Sequence, residues 1–330
     1  AFPIKESKLI SILPQDSSLL GQNAKILVKL PNGSSEYYFL KIATIGTTGS
    51  SLCEGEYESL KAIDSVCPGF VPKPYGWGKC KENGEDAYFL LEEFRELKTK
   101  PADPATLGKQ LAELHQKSQS PTGKFGFHIK TSHGRVIQQV DQWDACWASL
   151  FGRHLSHFMD VAKPVFDWPE FDRLCDLTLE RVVPRLLLPL QENGRVLKPS
   201  LIHGDCWDGN TANDAKTGNA IIFDACSFYG HNEYDTGNWR ASRHKLSNGE
   251  YIRAYKSIIP PSEPVDEWDA RNILYSLTFN IGNAVYIPGS DQREAVFHDL
   301  AFLCQAYCPD FSSLSYPFPV IEVENKLDIY

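Results

Sequence analysis

Asp205, Asn210 and Asp224 stand together in the stretch "LIHGDCWDGNTANDAKTGNAIIFDACSFYG", residues 201–230. Two carboxylates and an amide are hard oxygen donors, which suits magnesium, an ion commonly held by only one or two carboxylates from the protein. Phosphoryl transfer from ATP needs this inventory: one carboxylate to orient and deprotonate the attacking hydroxyl, and oxygen ligands for the metal on the phosphates. Three polar residues in a turn could equally be solvated loop chemistry. The flanking Gly204 and Gly209 and the apolar run "AIIFD" argue against that, because they fix the ends of the loop so that its side chains converge.

Spacing narrows the roles. In protein kinases the base aspartate precedes a magnesium asparagine by five residues, and a second metal aspartate follows a short strand. "GDCWDGN" and "AIIFD" reproduce both separations, with Asp205 as base and Asn210 and Asp224 as metal ligands. Such a site also needs a lysine on the phosphates, held by a glutamate. "YFLKIA" supplies Lys41 inside an apolar strand, where an unpaired ammonium is costly. Glu56, fifteen residues on, is the candidate partner, with Glu54 the competing choice.

These residues need elements to position them. "AKILVKL" and "EYYFLKIA" read as strands joined by "PNGSS", whose Asn32-Gly33 is a hairpin signal. "GEYESLKAIDSV" reads as a helix with Glu56 at its start, "VPKPYGWGK" as a proline-punctuated loop, and "AYFLLEEF" as another strand. After a hinge around Glu92 to Arg95 the pattern turns helical. A helix is expected near Asp103-Pro104, then others at "DACWASLFGRHLSHFMDVA", "EFDRLCDLTLERVVPRLL", "GEYIRAYKSII", "EWDARNILYSLTFNIGNAV" and "QREAVFHDLAFLCQAY". The fold class is therefore α+β and bilobal, with a small β-rich lobe over residues 1–93 and a larger, mainly helical lobe over 94–330.

The totals set limits. A chain of 330 residues can bury two cores, and its net charge of −9 argues against a nucleic-acid or anionic-membrane surface. No apolar run approaches a membrane span. Nine cysteines without C-x-x-C pairs predict a reducing, cytoplasmic setting, with Cys304 and Cys308 as ordinary buried thiols.

The motifs "HGDCWDGN", "IIFDACSFYGHNEYD", "EGEYESLKAI", "VPKP", "KFGF" and "DQWDACWASLFGRHL" resemble the fructosamine-3-kinase (ketosamine-3-kinase) family, within the aminoglycoside-phosphotransferase-like and choline-kinase-like enzymes. The far C-terminal segment resembles a fungal-type branch. The resemblance implies a protein-kinase-like fold and ATP- and Mg2+-dependent phosphorylation of the 3-hydroxyl of a ketosamine, free or protein-bound. It also implies that Lys41 and Glu56 clamp the phosphates, that Glu92, Glu93 and Phe94 meet the adenine through the hinge backbone, and that Trp207 is a platform for the sugar-amine. His231 is placed on the substrate side as well. His203 and Asp235 read as structural residues of the loop, and Trp143 and Trp147, four apart, as helix core. The chain departs from the family in two places. No glycine-rich nucleotide loop is evident in "QDSSLLGQNAKILV", so cradling of phosphates falls to Ser17, Ser18 and neighbouring amides, and Ala225 follows Asp224 where the family has proline. Two other readings stand beside this one: a kinase for an aminoglycoside-like or choline-like alcohol, and a pseudokinase-like nucleotide-binding module.

Overall fold

Two strands open the chain, Lys8–Pro14 (β1) and Gly21–Lys29 (β2), and in β2 the alternate residues Ala24, Ile26 and Val28 point inward while their neighbours face out. A computed structural model describes residues 3–15, 21–166, 169–287, 290–309 and 311. β2 turns into Ser35–Ala43 (β3) through the anticipated "PNGSS" segment, where the Leu30 N–H reaches the Ser34 carbonyl at 2.8 Å and Gly33 takes a φ of 85° that a side chain would resist. The helix Thr47–Val66 (α1) follows. Pro74–Glu82 (β4) and Glu85–Glu93 (β5) complete an antiparallel sheet of order β1-β2-β3-β5-β4.

Two expectations are corrected here. The segment read as a proline-rich loop is strand β4; it lies at the sheet edge with Pro74 as its first residue, the place where a missing N–H is tolerated. The helix begins at Thr47, eight residues before "GEYESLKAIDSV", because packing of Cys53 and close approach of Gly55 to Thr131 override the weak helix propensity of "TTGSS".

Leu97–Thr99 (β6) leads into Pro104–Lys117 (α2). That helix is capped by Asp103, whose carboxylate accepts the Ala105 and Thr106 N–H groups at 3.1 Å. A short hairpin, Ser132–His133 (β7) with Val136–Ile137 (β8), precedes Trp147–Phe166 (α3). Trp147, Phe151, Leu155 and Phe158 of α3 are buried. The run expected as one helix from Glu170 is three pieces: Pro169–Leu177 (α4), a π-turn at Thr178–Val182, and Val183–Leu187 (α5). Pro184 has no N–H to continue the regular ladder, and just before it the Val183 N–H bonds the carbonyl of Thr178, five residues back.

Short strands then build the site: Ser200–Ile202 (β9), Thr211–Asp214 (β10), Ala220–Ile222 (β11) and Phe228–Gly230 (β12). β10 pairs with both β11 and β6, and β12 pairs with β9. Tyr234–Gly237 (α6), Gly249–Lys256 (α7), Trp268–Tyr286 (α8) and Gln292–Tyr307 (α9) close the helical part, with Cys304 and Cys308 buried as expected. α8 is buried almost all round and carries Arg271, whose guanidinium meets both carboxylate oxygens of Glu233 at 2.8 and 3.0 Å. No described helix is long and apolar enough to cross a membrane.

Candidate active site

β9 delivers His203, Gly204 and Asp205 to the surface of the helical part. Asp235, in the first turn of α6, accepts the His203 and Gly204 N–H groups at 2.7 and 2.8 Å, and His115 Nε2 lies 3.1 Å from it. Burial alone would raise that carboxyl; His115 and the backbone N–H groups hold it below the usual range, so a fixed negative charge locks the loop. Gly204 is obligatory, since its φ is 89° and a Cβ would sit 2.4 Å from the Cys226 carbonyl oxygen.

Asp205 then has neighbours on three sides. Asn210 Nδ2 approaches one carboxylate oxygen at 3.2 Å, Asn238 Nδ2 the other at 3.0 Å, and His133 Nε2 stands 3.3 Å from the latter. Asn210 also gives Nδ2 to the Asp205 carbonyl at 3.0 Å, which fixes the amide so that its oxygen is turned away from Asp205.

The return of the chain explains the gap between Asp205 and Asp224. β10 runs out from Asn210, Asp214 closes a turn by accepting the Lys216 and Thr217 N–H groups, and β11 runs back antiparallel. Phe223 N–H bonds the Asn210 carbonyl at 3.1 Å and Cys226 N–H bonds that of His203 at 3.0 Å. A local hairpin thus sets Asp224 beside Asn210. Asp224 has a φ of 59°, a left-handed conformation that aspartate tolerates better than most residues and that tends to occur where function demands it.

From the sheet, Lys41 reaches Glu56 at 2.5 Å, lies 3.9 Å from Glu92 and pairs directly with Asp224. Glu56 rather than Glu54 is therefore the partner. Burial opposes the charge on Lys41, and the three carboxylates nevertheless hold its pKa well above the ordinary value. Partial burial would raise the Asp224 carboxyl, and Lys41 keeps it lowered. Burial wins at Glu56, pushed up to about 8, and at Glu92, pushed up to about 7, with Lys41 opposing at both.

The Glu92 titration has a measurable consequence. Its ordinary value is 4.5, so the folded state resists deprotonation and stability is lost as pH rises from about 4.5 to about 7. Glu92→Gln mimics the protonated side chain. It is expected to exceed the wild type in stability by about 1–3 kcal/mol at pH 8 and by little at pH 5. Urea denaturation at both pH values checks this; an equal difference at the two would contradict it.

On its other side Asp205 opens into a cavity of about 630 Å³ lined by His133, Trp207, Asn238, Arg243 and His244. Trp207 lies over Gly209, where a Cβ would meet the indole at 2.3 Å, and its ring centroid is 5.0 Å from that of His244.

One sequence expectation falls outside this assembly. His231 is not at the cavity: it is fully buried, with Nδ1 2.8 Å from the Tyr275 hydroxyl and Nε2 2.9 Å from Ser262 Oγ, and burial lowers it to about 4. Ser17 and Ser18 lie outside the described residues. Glu92 turns its side chain toward Lys41, and the Glu93 N–H is already bonded to the Lys73 carbonyl at 2.8 Å. Phe94 packs its ring 6.1 Å from Tyr37. Asn238, His133 and Arg243 were missed. They stand 33, 72 and 38 residues from Asp205 in sequence, and no local pattern links them to it.

Residues 15–296 match the family model for fructosamine kinase. The chain belongs to the fructosamine kinase family. It is 32% identical over 261 residues to a protein-ribulosamine 3-kinase, chloroplastic, of Oryza sativa subsp. japonica, covering 78% of this chain and 70% of that one. To a ketosamine-3-kinase of Mus musculus it is 30% identical over 231 residues, covering 63% of this chain and 70% of the other. Among solved structures, one assigned to fructosamine-3-kinase from Thermobifida fusca YX-ER1 superposes with a TM-score of 0.68 at 18% identity, covering 92% and 96% of the two chains. A choline kinase from Streptococcus pneumoniae gives 0.55 at 12% identity over 89% and 94%. The fold of this fructosamine kinase family member is accordingly protein-kinase-like, an antiparallel sheet joined to a helical part.

Proposed function

We propose that this fructosamine kinase family member transfers a phosphoryl group from ATP to the 3-hydroxyl of a ketosamine, with Asp205 as the base. It is a kinase, a phosphotransferase acting on a hydroxyl group, and its relatives act on ribulosamines and ketosamines as their names state. One observation carries the finer reading. The Asp205 carboxylate is fixed by two asparagines while lining a cavity large enough for a sugar-amine, and Asp224, the partner of Lys41, follows Phe223, whose N–H bonds the Asn210 carbonyl.

The residues fit magnesium and ATP. Asn210 has its Nδ2 committed to Asp205, leaving an amide oxygen as donor, and Asp224 adds a half-exposed carboxylate that Lys41 keeps lowered, so two hard oxygen donors suit a dication. Asn210 and Asp224 would hold the metal, which would neutralise charge on the phosphates. Lys41, oriented by Glu56, would bind phosphate oxygens, and the backbone of Glu93 and Phe94, with Ser17 and Ser18, remains our proposal for the rest of the nucleotide. The boundary between lobes is placed at residues 93 and 94, where β5 ends. We place the enzyme in a reducing, cytoplasmic setting on its nine thiols.

Within the site, Asp205 would accept a hydrogen bond from the acceptor hydroxyl, align its oxygen and take the proton as the new bond to phosphorus forms. Trp207 offers an aromatic face to the sugar's C–H surface or to the amine. Trp207→Ala is expected to raise KM for a ketosamine about tenfold with KM for ATP little changed, as steady-state kinetics with each substrate varied would show.

Among the described residues the cavity is lined by one carboxylate, Asp205, and by Arg135 and Arg243. ADP release with Mg·ATP and a panel of a ketosamine, choline, an aminoglycoside and no acceptor tests the proposal. Stimulation by the ketosamine supports it; stimulation by choline or the aminoglycoside alone, or by none, would refute it.

A further inference from the structure

We propose that the cavity beside Asp205 selects ketosamines that carry an anionic group, a carboxylate or a phosphate, and that Arg243 is the residue that binds it. This rests on the ketosamine kinase reading and names the class of substrate within it.

The observation is an arginine without a counter-charge. Arg243 lines the cavity together with Asp205 and Trp207. Its Nη1 donates to two neutral acceptors, Asn280 Oδ1 at 2.8 Å and Gln292 Oε1 at 2.5 Å. Its Nε is buried without a hydrogen-bond partner among the described residues, and no described carboxylate stands in ion-pair contact with it. Burial lowers its pKa, and the more distant Asp291, Asp205 and Asp208 do not restore it. A half-buried guanidinium without a counter-charge is costly to leave so, and an anion that enters the cavity can supply that charge.

The surroundings point the same way. His244 beside it is lowered to about 4 by burial and by Arg243, so the neighbouring imidazole is neutral and does not compete for an anion. Asp208, which could have supplied the missing charge, is instead engaged by His244 Nδ1 at 3.2 Å and the Lys245 N–H at 3.0 Å. Arg135, on the exposed turn of the β7–β8 hairpin, also lines the cavity. A ketosamine is an amine, cationic by itself. With a carboxylate or phosphate attached it can set its 3-hydroxyl at Asp205, its sugar-amine against Trp207 and its negative end at Arg243.

The test uses the full chain with Mg·ATP and three acceptors: N-(1-deoxyfructosyl)glycine, its neutral glycinamide counterpart, and that amide phosphorylated on the sugar 6-hydroxyl. Wild-type kcat/KM for one of the two anionic acceptors is expected to exceed that for the amide by about tenfold or more, and the favoured arm identifies carboxylate or phosphate. Arg243→Gln is expected to bring that ratio toward one, and Arg243→Lys to keep part of it. The ratio is read within one protein, so a general loss of activity does not mimic the effect. If Arg243→Gln does not fold, the ratio in Arg243→Lys decides, and an unchanged ratio there overturns the assignment. Equal turnover of all three acceptors by the wild type overturns this inference and leaves the kinase reading standing. Turnover of none overturns both.

Discussion

Asp205→Asn is expected to lower kcat by about 100- to 10,000-fold, the range that a positioned general base contributes. The carboxylate accepts from Asn210 and Asn238 through its two oxygens, and His133 Nε2 stands 3.3 Å from one of them. The amide that replaces it has one acceptor oxygen, so it must present an NH2 group to a donor on one side and can no longer take a proton. Affinity for Mg·ATP is expected to change little, because Asp224, Lys41 and Glu56 are untouched and stand on other elements. Rapid-quench or steady-state kinetics with a nucleotide-binding titration on the same protein separates the two. Full turnover by the variant would exclude Asp205 as the base, and loss of nucleotide binding in a folded variant would show that its role is structural.

Lys41→Met is expected to reduce both stability and use of ATP. The ammonium is the positive centre for Glu56, Glu92 and Asp224, and removing one member of a buried ion cluster commonly costs about 3–5 kcal/mol. Glu56 and Glu92 are nearly buried and dominate that cost; Asp224 is half-exposed, and water screens much of its share. The pH dependence has a definite sign. Without Lys41 the Glu56 and Glu92 carboxyls rise further above their ordinary values and Asp224 loses the cation that lowers it, so the destabilisation grows as pH increases and shrinks toward pH 5, where the two glutamates are protonated. Urea titrations at pH 5 and pH 8 measure this. A variant whose stability equals the wild type at pH 8 would contradict the cluster, and an unchanged KM for ATP would remove Lys41 from the nucleotide site.

What could be read from the sequence was whatever is local in the fold. Asp205, Asn210 and Asp224 were legible because a single hairpin, β10 to β11, brings them together. Lys41 and Glu56 were legible because the helix after a strand packs on that strand. Asn238, His133 and Arg243 come from α6's end, the β7–β8 hairpin and the segment beyond, and only tertiary packing assembles them around Asp205. Proximity in sequence misled at His231. It follows β12 directly, yet the chain turns inward there because its ring is claimed by Tyr275 and Ser262. The same limit applies to charge. A net −9 describes the whole chain, whereas the cavity is lined, among the described residues, by two arginines and one carboxylate. The long α1 and the strand β4 were obscured by glycine, threonine and proline whose weak preferences are overridden by packing and by an edge position.

The central claim is where the phosphoryl group goes. Incubation of the enzyme with Mg·ATP and a 1-deoxyfructosyl amine, followed by 31P and 13C NMR of the product, measures it directly. The expected product is an ATP-dependent phosphate ester whose phosphorus couples to sugar carbon 3. An ester on another hydroxyl, or no ester from any ketosamine while choline or an aminoglycoside is phosphorylated, would contradict it.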